Sequence, residues 1–379
     1  MSLHFVNTVF ENASPANWQI EDGTTAHVEL IYDHERDAPN RAAGHWHLRL
    51  EGEPGTHATV ILKNFDNIWN GKHGSPISKC DGCYASETGT EWTRIPARRT
   101  DKNQLEIPVR LETDTLYIAR IEPYRIGDLD RLLDEIRDNP LVRISEIGRT
   151  VEDRPLELVR VGNHDAPNRV FLRARAHPWE TGGNWCVQGL IRGLLLDEDK
   201  TKRCLERYAI YVLPMACKDG VARGYTRFNV RGMDLNRKWH APADPALAPE
   251  NHALEQWLEG MLENNKPIQL AIDLHNDQGG HLHVSRPKKE PDRYLADMDR
   301  FANLLEKHTW FTEGRTNPTH HNPGSFGGEM FDRYGISGCV YELNCNWIAG
   351  LKKPPFGKDW ELLGEQLREV FFNYFGARA

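Results

Sequence analysis

The sequence predicts a two-part α/β protein: an antiparallel β-sandwich-like region over residues 1–121, followed by an α/β domain over residues 122–379. Three observations predict it. Before residue 122 the apolar residues fall in short alternating or β-branched runs, divided by Gly, Pro, Asn and Asp clusters. Beyond it, strand-like runs alternate with segments of helical periodicity, the pattern of a mixed or mostly parallel sheet with helices. And 379 residues exceed one typical domain.

The β grammar is carried by "TAHVELIYD", "HWHLRLEG", "ATVILKNF", "QLEIPVRLE" and "TLYIARIEPY", a set that suits a sandwich or a small barrel. "DLDRLLDEIRDN" then reads as a helix capped by its leading Asp. Strands follow at "NRVFLRARA", "YAIYVLPMA", "IQLAIDLHN" and "GCVYELN". Helices lie between and after them at "WCVQGLIRGLLLDE", "ALEQWLEGMLEN", "YLADMDRFANLLEKH" and "WELLGEQLREVFFNYF".

The net charge of −8 supplies no general electrostatic reason to bind nucleic acid or an acidic membrane surface. No apolar run approaches the ~20 residues of a membrane span. The first residues lack the basic start and apolar middle of a secretory signal. Seven scattered cysteines point to reduced thiols and a cytoplasmic setting. Cys80 and Cys83 form a lone C-x-x-C with no second pair nearby, which reads as a turn rather than a structural metal knuckle.

The candidate chemistry collects at strand ends. His177 and Glu180, in "HPWETGGNW", follow "VFLRARA"; His275 closes "IQLAIDLH"; Glu342 lies at the end of "GCVYEL". Ligands of open α/β sheets bind outside the carboxyl ends of the strands. Two histidines and a carboxylate, with a fourth position for water, form a catalytic zinc set, and a second carboxylate nearby suits a general base. Each residue taken alone also reads as an ordinary satisfied polar group. Asp273, two before His275, is a candidate to orient that imidazole.

"KDGVARGYTRFNVRGMDLNRKW" leaves another strand end with Arg223, Arg227, Arg231, Asn236 and Arg237. Arginine's planar fork grips a carboxylate and stays charged. Arg223 and Arg231 read as surface charges, whereas Arg227, Asn236 and Arg237 read as candidates for binding an oxyanion and a terminal carboxylate.

Taken in order, "HPWE", "DGVARGYTRFNVRGMDLNR", "DLH" and "YELN" resemble the M14 family of zinc carboxypeptidases, and its cytosolic carboxypeptidase branch most. "KNFDN" and "EPYRIGDL" are similar to segments of that branch's N-terminal β domain, so the resemblance covers nearly the whole chain. It implies an eight-stranded mixed sheet with helices on both faces, one Zn2+ per chain held by His177, Glu180 and His275, Glu342 as general base, Arg227 at the oxyanion, and Asn236 with Arg237 on the substrate's terminal carboxylate. The implied substrate is the C-terminal tail of a peptide or protein, with glutamate favoured in that branch. Arg286, Lys288, Lys289 and Arg315 are the cations available for an acidic side chain, or else surface charges.

The sequence departs from the family pattern at Trp179, where a glycine is usual, and at Lys218, where a proline is common. No tyrosine stands at the spacing of the family's mobile tyrosine; His320 and His321 lie nearest, and Tyr334 is too close to Glu342. A zinc amidohydrolase of N-acyl amino acids, similar to aspartoacylase, shares H-x-x-E and D-L-N-R and is the alternative enzyme. A tail- or glycan-binding protein using Trp18, Trp46, Trp69 and Trp92 is the non-catalytic alternative.

Overall fold

The computed structural model describes residues 1–376 apart from 197, 318, 320, 321 and 323. His320 and His321 therefore lie outside the described residues. The chain divides into two compact units. One comprises Met1–Ile126 with His177–Trp179 and Asp219–Asp234; the other holds the remainder.

The first unit contains two five-stranded sheets. One orders Leu3–Asn7, His47–Gly52, Thr115–Ala119, Gly82–Ser86 and Thr93–Pro96; the other orders Arg98–Arg99, Leu105–Arg110, His57–Lys63, Thr25–Leu30 and Ala16–Glu21. A small four-stranded sheet joins Asp33–His34, Arg41–Ala42, Asn67–Trp69 and Lys72–Gly74. Period-two patterning builds it: in His57–Lys63, residues 58, 60 and 62 are buried and their neighbours are not. Val28, Leu48, Leu50, Val60, Leu62, Ile107 and Ile118 meet around Trp46 in one core. Each such aliphatic side chain contributes about 1.5–3 kcal/mol of burial.

The first unit, which its sequence predicts to be antiparallel, is not wholly so. The sheets are antiparallel except where Thr25–Leu30 pairs in parallel with His57–Lys63. The chain between these strands passes through His47–Gly52 in the other sheet, so they are not a hairpin, and a long connection permits parallel pairing. Cys83 lies inside the strand Gly82–Ser86 with its side chain in the core, so the C-x-x-C is only in part a turn.

The second unit is built on a seven-stranded sheet in the order Val142–Arg149, Pro155–Val161, Tyr208–Leu213, Asn168–Ala174, Leu270–Asp277, Ser337–Asn344 and Leu282–His283. Its four neighbours from Tyr208–Leu213 to Ser337–Asn344 are parallel; the flanking pairs are antiparallel. The sheet has seven strands among the described residues, not eight. Beyond Leu282–His283 the next position holds a single bridging residue, Arg315, which pairs with Leu282. Gly314 at φ +73° breaks the extended backbone just before it.

Helices cover both faces. Odd-numbered Phe171, Tyr211 and Ala271 pack with Leu254, Leu258 and Met261 of Pro249–Glu263 and with Phe326 and Met330 of Phe326–Tyr334. On the even-numbered face Tyr208 meets Phe371 of Gly357–Tyr374, and Gly183 of Gly182–Leu194 sits against Ala174 and Leu274. Among the described residues no helix is long and apolar enough to cross a membrane.

Candidate metal centre and substrate site

The parallel strands deliver the candidates in neighbouring positions. His275 is the register partner of Glu342, and Arg173 is the register partner of Asp273. Residues at one level of adjacent parallel strands share a face, so His275 and Glu342 stand side by side one pleat beyond the Arg173–Asp273 pair. His177 and Glu180 follow Asn168–Ala174, the strand next to His275.

The glycines of "HPWETGGNW" are required by close packing. A Cβ on Gly182 would lie 2.8 Å from Asn276 Nδ2, and one on Gly183 would lie 2.9 Å from Leu274 Cβ and 3.0 Å from Ala174 Cβ. The Gly182 N–H instead donates to Asn276 Oδ1 at 2.8 Å, fixing the start of the helix one residue past Thr181. The start of that helix is thereby held against the strand that carries His275.

His177, Glu180 and His275 each offer a ligand atom, and these atoms all lie within 4.8 Å of one another. All three residues are buried. His275 Nδ1 lies 2.6 Å from Glu180 Oε2, and its Nε2 lies 2.8 Å from Asp273 Oδ2. His177 Nε2 lies 3.1 Å from Asp234 Oδ1. Each imidazole thus has one nitrogen on an orienting carboxylate, the arrangement that fixes ring orientation for metal binding through the other. Burial works against charge on His275, but Asp273 and Glu180 outweigh it and raise its proton affinity well above the ordinary value. A field that attracts a proton also attracts a dication. Two imidazoles and a carboxylate in this field fit Zn2+.

Both orienting carboxylates are backed by arginine. Arg173 Nε donates to Asp273 Oδ1 at 2.8 Å and its Nη2 donates to Oδ2, with both side chains fully buried. Arg173 Nη1 also donates to Leu235 O at 3.2 Å and Asn251 Oδ1 at 3.3 Å, and its guanidinium lies over the Trp239 and Phe326 rings. Arg227 Nε and Nη2 donate to Asp234 Oδ2 at 2.9 and 2.7 Å. Sequence reasoning missed Arg173, Asp234 and Asn251. The signal for Arg173 was present, because arginines at 169 and 173 interrupt an otherwise apolar strand.

The remaining candidates separate clearly. Asn236 is buried and its Oδ1 accepts the Phe326 N–H at 3.1 Å. Arg237 is half-buried, with Nη1 donating to Asn236 O at 2.8 Å. Arg223 and Arg231 are exposed. Lys218 is buried and paired with Glu157, so a salt bridge stands where proline is common. Trp179 lies under the Arg120 guanidinium, 4.7 Å from its ring centroid, within the first unit. Tyr334 packs against the core that holds Phe171, Phe326 and Met330. Arg315 pairs with Asp299, and Lys289 Nζ donates to Asp332 O at 2.8 Å; Arg286 and Lys288 are exposed. Trp46 is core, and Trp18, Trp69 and Trp92 are half-buried.

Residues 129–308 match the family described as zinc carboxypeptidase, peptidase M14. Cytosolic carboxypeptidase 6 of Caenorhabditis elegans is 29% identical over 212 residues, covering 50% of this chain and 45% of that protein. The chain thus spans about half the length of that curated relative. A metallo-carboxypeptidase from Pseudomonas aeruginosa, solved in complex with (2-guanidinoethylmercapto)succinic acid, superposes with a TM-score of 0.84 at 22% identity, covering 98% of each chain. A metallo-carboxypeptidase from Burkholderia cenocepacia gives 0.82 at 20% identity, again over 98% of each. The fold is that of the zinc carboxypeptidases, and the chain is homologous to the cytosolic carboxypeptidases.

Proposed function

We propose that this homologue of the M14 zinc carboxypeptidases is a zinc-dependent carboxypeptidase that removes residues from the C-terminus of peptide or protein tails. The observation that carries the reading is the buried His177–Glu180–His275 cluster with Glu342 in register beside His275. The family match over residues 129–308 supports it.

His177, Glu180 and His275 would hold one Zn2+, which would supply Lewis-acid chemistry for polarising the scissile carbonyl and activating a water. Glu342 takes the proton of the attacking water and passes it to the leaving amine. Arg227 donates to the oxyanion that develops on the carbonyl, held in direction by Asp234. Asn236 and Arg237 hold the terminal carboxylate, which restricts cleavage to chain ends. Residues 122–379 supply most of this chemistry. The cytosolic relatives and the seven cysteines, with no disulfide among them, support a cytoplasmic setting. An acidic C-terminal residue is the favoured substrate class; Arg286 and Lys288 keep the role of binding its side chain open, since Lys289 and Arg315 have partners elsewhere.

The test is release of free amino acid from peptides that differ only at the C-terminus, with a polyglutamate tail and an N-acyl amino acid included. Trimming of the peptides is the expected result. Cleavage of the N-acyl amino acid alone moves the protein to the amidohydrolase reading, and metal binding without any release moves it to the binding-protein reading.

A further inference from the structure

We propose that Asp33, a carboxylate of the N-terminal β region, is a positioning residue for Arg227, so that this region sets the reaction geometry rather than only supporting the fold. The inference rests on the role given to Arg227 above.

Asp33 lies in the two-residue strand Asp33–His34 and is buried. Its Oδ2 accepts the backbone N–H of Arg227 at 2.6 Å and of Phe228 at 2.7 Å, and its Oδ1 accepts that of Thr226 at 3.3 Å. Three consecutive amides therefore converge on one carboxylate. A loop has no ladder to satisfy such groups, and buried N–H groups without acceptors are costly, so the carboxylate fixes the loop's path. The orientation passes along the Arg227 side chain to Asp234 Oδ2, and Asp234 Oδ1 meets His177 Nε2. A chain of hydrogen bonds thus runs from the β region to a candidate metal ligand.

The same segment is held at several further points. Thr226 Oγ1 accepts the N–H groups of Gly44 at 3.0 Å and His45 at 3.2 Å. Asn12 Nδ2 donates to Val221 O at 3.1 Å, and the Arg36 N–H donates to Gly232 O at 2.7 Å. Gly224, at φ +64°, approaches Ala13 so closely that an added Cβ would lie 1.9 Å from its carbonyl oxygen. Those ties place the segment; Asp33 alone among these holds the amide of Arg227 itself.

The experiment is a double-mutant cycle on the zinc-loaded full chain with Asp33→Asn, Arg227→Ala and the pair. An amide cannot accept at both places, so Asp33→Asn turns an N–H toward at least one donor. The expected result is that kcat falls by about 10²–10³-fold for Arg227→Ala and by a smaller factor for Asp33→Asn, with KM and metal content unchanged. The pair should be no worse than Arg227→Ala alone, since a positioning residue has nothing left to position. Independent, multiplying losses would overturn the inference, as would wild-type kcat in Asp33→Asn. Wild-type activity in Arg227→Ala would instead overturn the role of Arg227. If Asp33→Asn does not fold, amide exchange in the wild type decides. Strong protection at residues 226–228 is expected, and exchange as fast as an exposed loop would overturn the inference.

Discussion

The two candidate histidine ligands are each supported by a carboxylate and an arginine, but the supports are built differently. His275, Asp273 and Arg173 stand on neighbouring parallel strands, fully buried, with geometry set by sheet register. His177, Asp234 and Arg227 stand on loops, and the arginine side chain is 19% exposed. The strand-built arrangement can only hold its imidazole still. The loop-built one leaves its arginine partly exposed, as the oxyanion role proposed for Arg227 requires. One support is fixed by sheet register, and the other, having no register, depends on outside anchors such as Asp33.

The predictions probe that difference, beginning with the largest effect. Glu342→Gln should lower kcat by about 10²–10⁴-fold while zinc content stays at the wild-type level, read by metal analysis beside a peptide assay. Loss of zinc together with activity would place Glu342 among the ligands instead. Arg173→Met should destabilise the chain by about 3–5 kcal/mol in denaturant unfolding, because it strands the buried Asp273 carboxylate. Arg227→Met should cost clearly less stability and far more kcat. If the two variants behaved alike, the contrast between the supports would fail.

Asp234→Asn should weaken zinc binding by about 10–100-fold, measured by competition with a chelator. Asp273 adds a pH dependence. Burial alone would raise its pKa, but Arg173 and His275 hold the carboxyl well below its ordinary value. A depressed folded value contributes stability that is present above the unfolded pKa near ~3.9 and is lost as pH falls toward the folded one. Asp273→Asn should therefore lower stability at neutral pH and flatten its decline in acid. At the small end, Arg223→Ala and Arg231→Ala should alter stability by no more than about 0.5 kcal/mol and leave activity unchanged.

Much of this was legible in the sequence, for reasons that differ by residue. The buried strands from Asn168 onward and the long helices announce themselves by continuous or 3.6-residue apolar periodicity. The edge hairpin of Val142–Arg149 and Pro155–Val161 does not, because the first of these strands exposes charged residues on both sides. The ligand candidates were readable because their spacing and strand-end placement are local. Asp234 lies within "GMDLNR", but nothing near it in sequence names His177 as its partner. Asp33 was not readable at all. Its partners are backbone amides some 193–195 residues away, and backbone amides leave no trace in side-chain identity.

The most direct test of the whole account is to strip the purified chain with a chelator, then restore zinc in measured steps while following release of the C-terminal residue from one peptide offered as free acid and as amide. The account predicts no release after stripping, recovery that saturates at one zinc per chain, and cleavage of the free acid alone. Release that persists after the metal is removed, or equal cleavage of the amide, would contradict it.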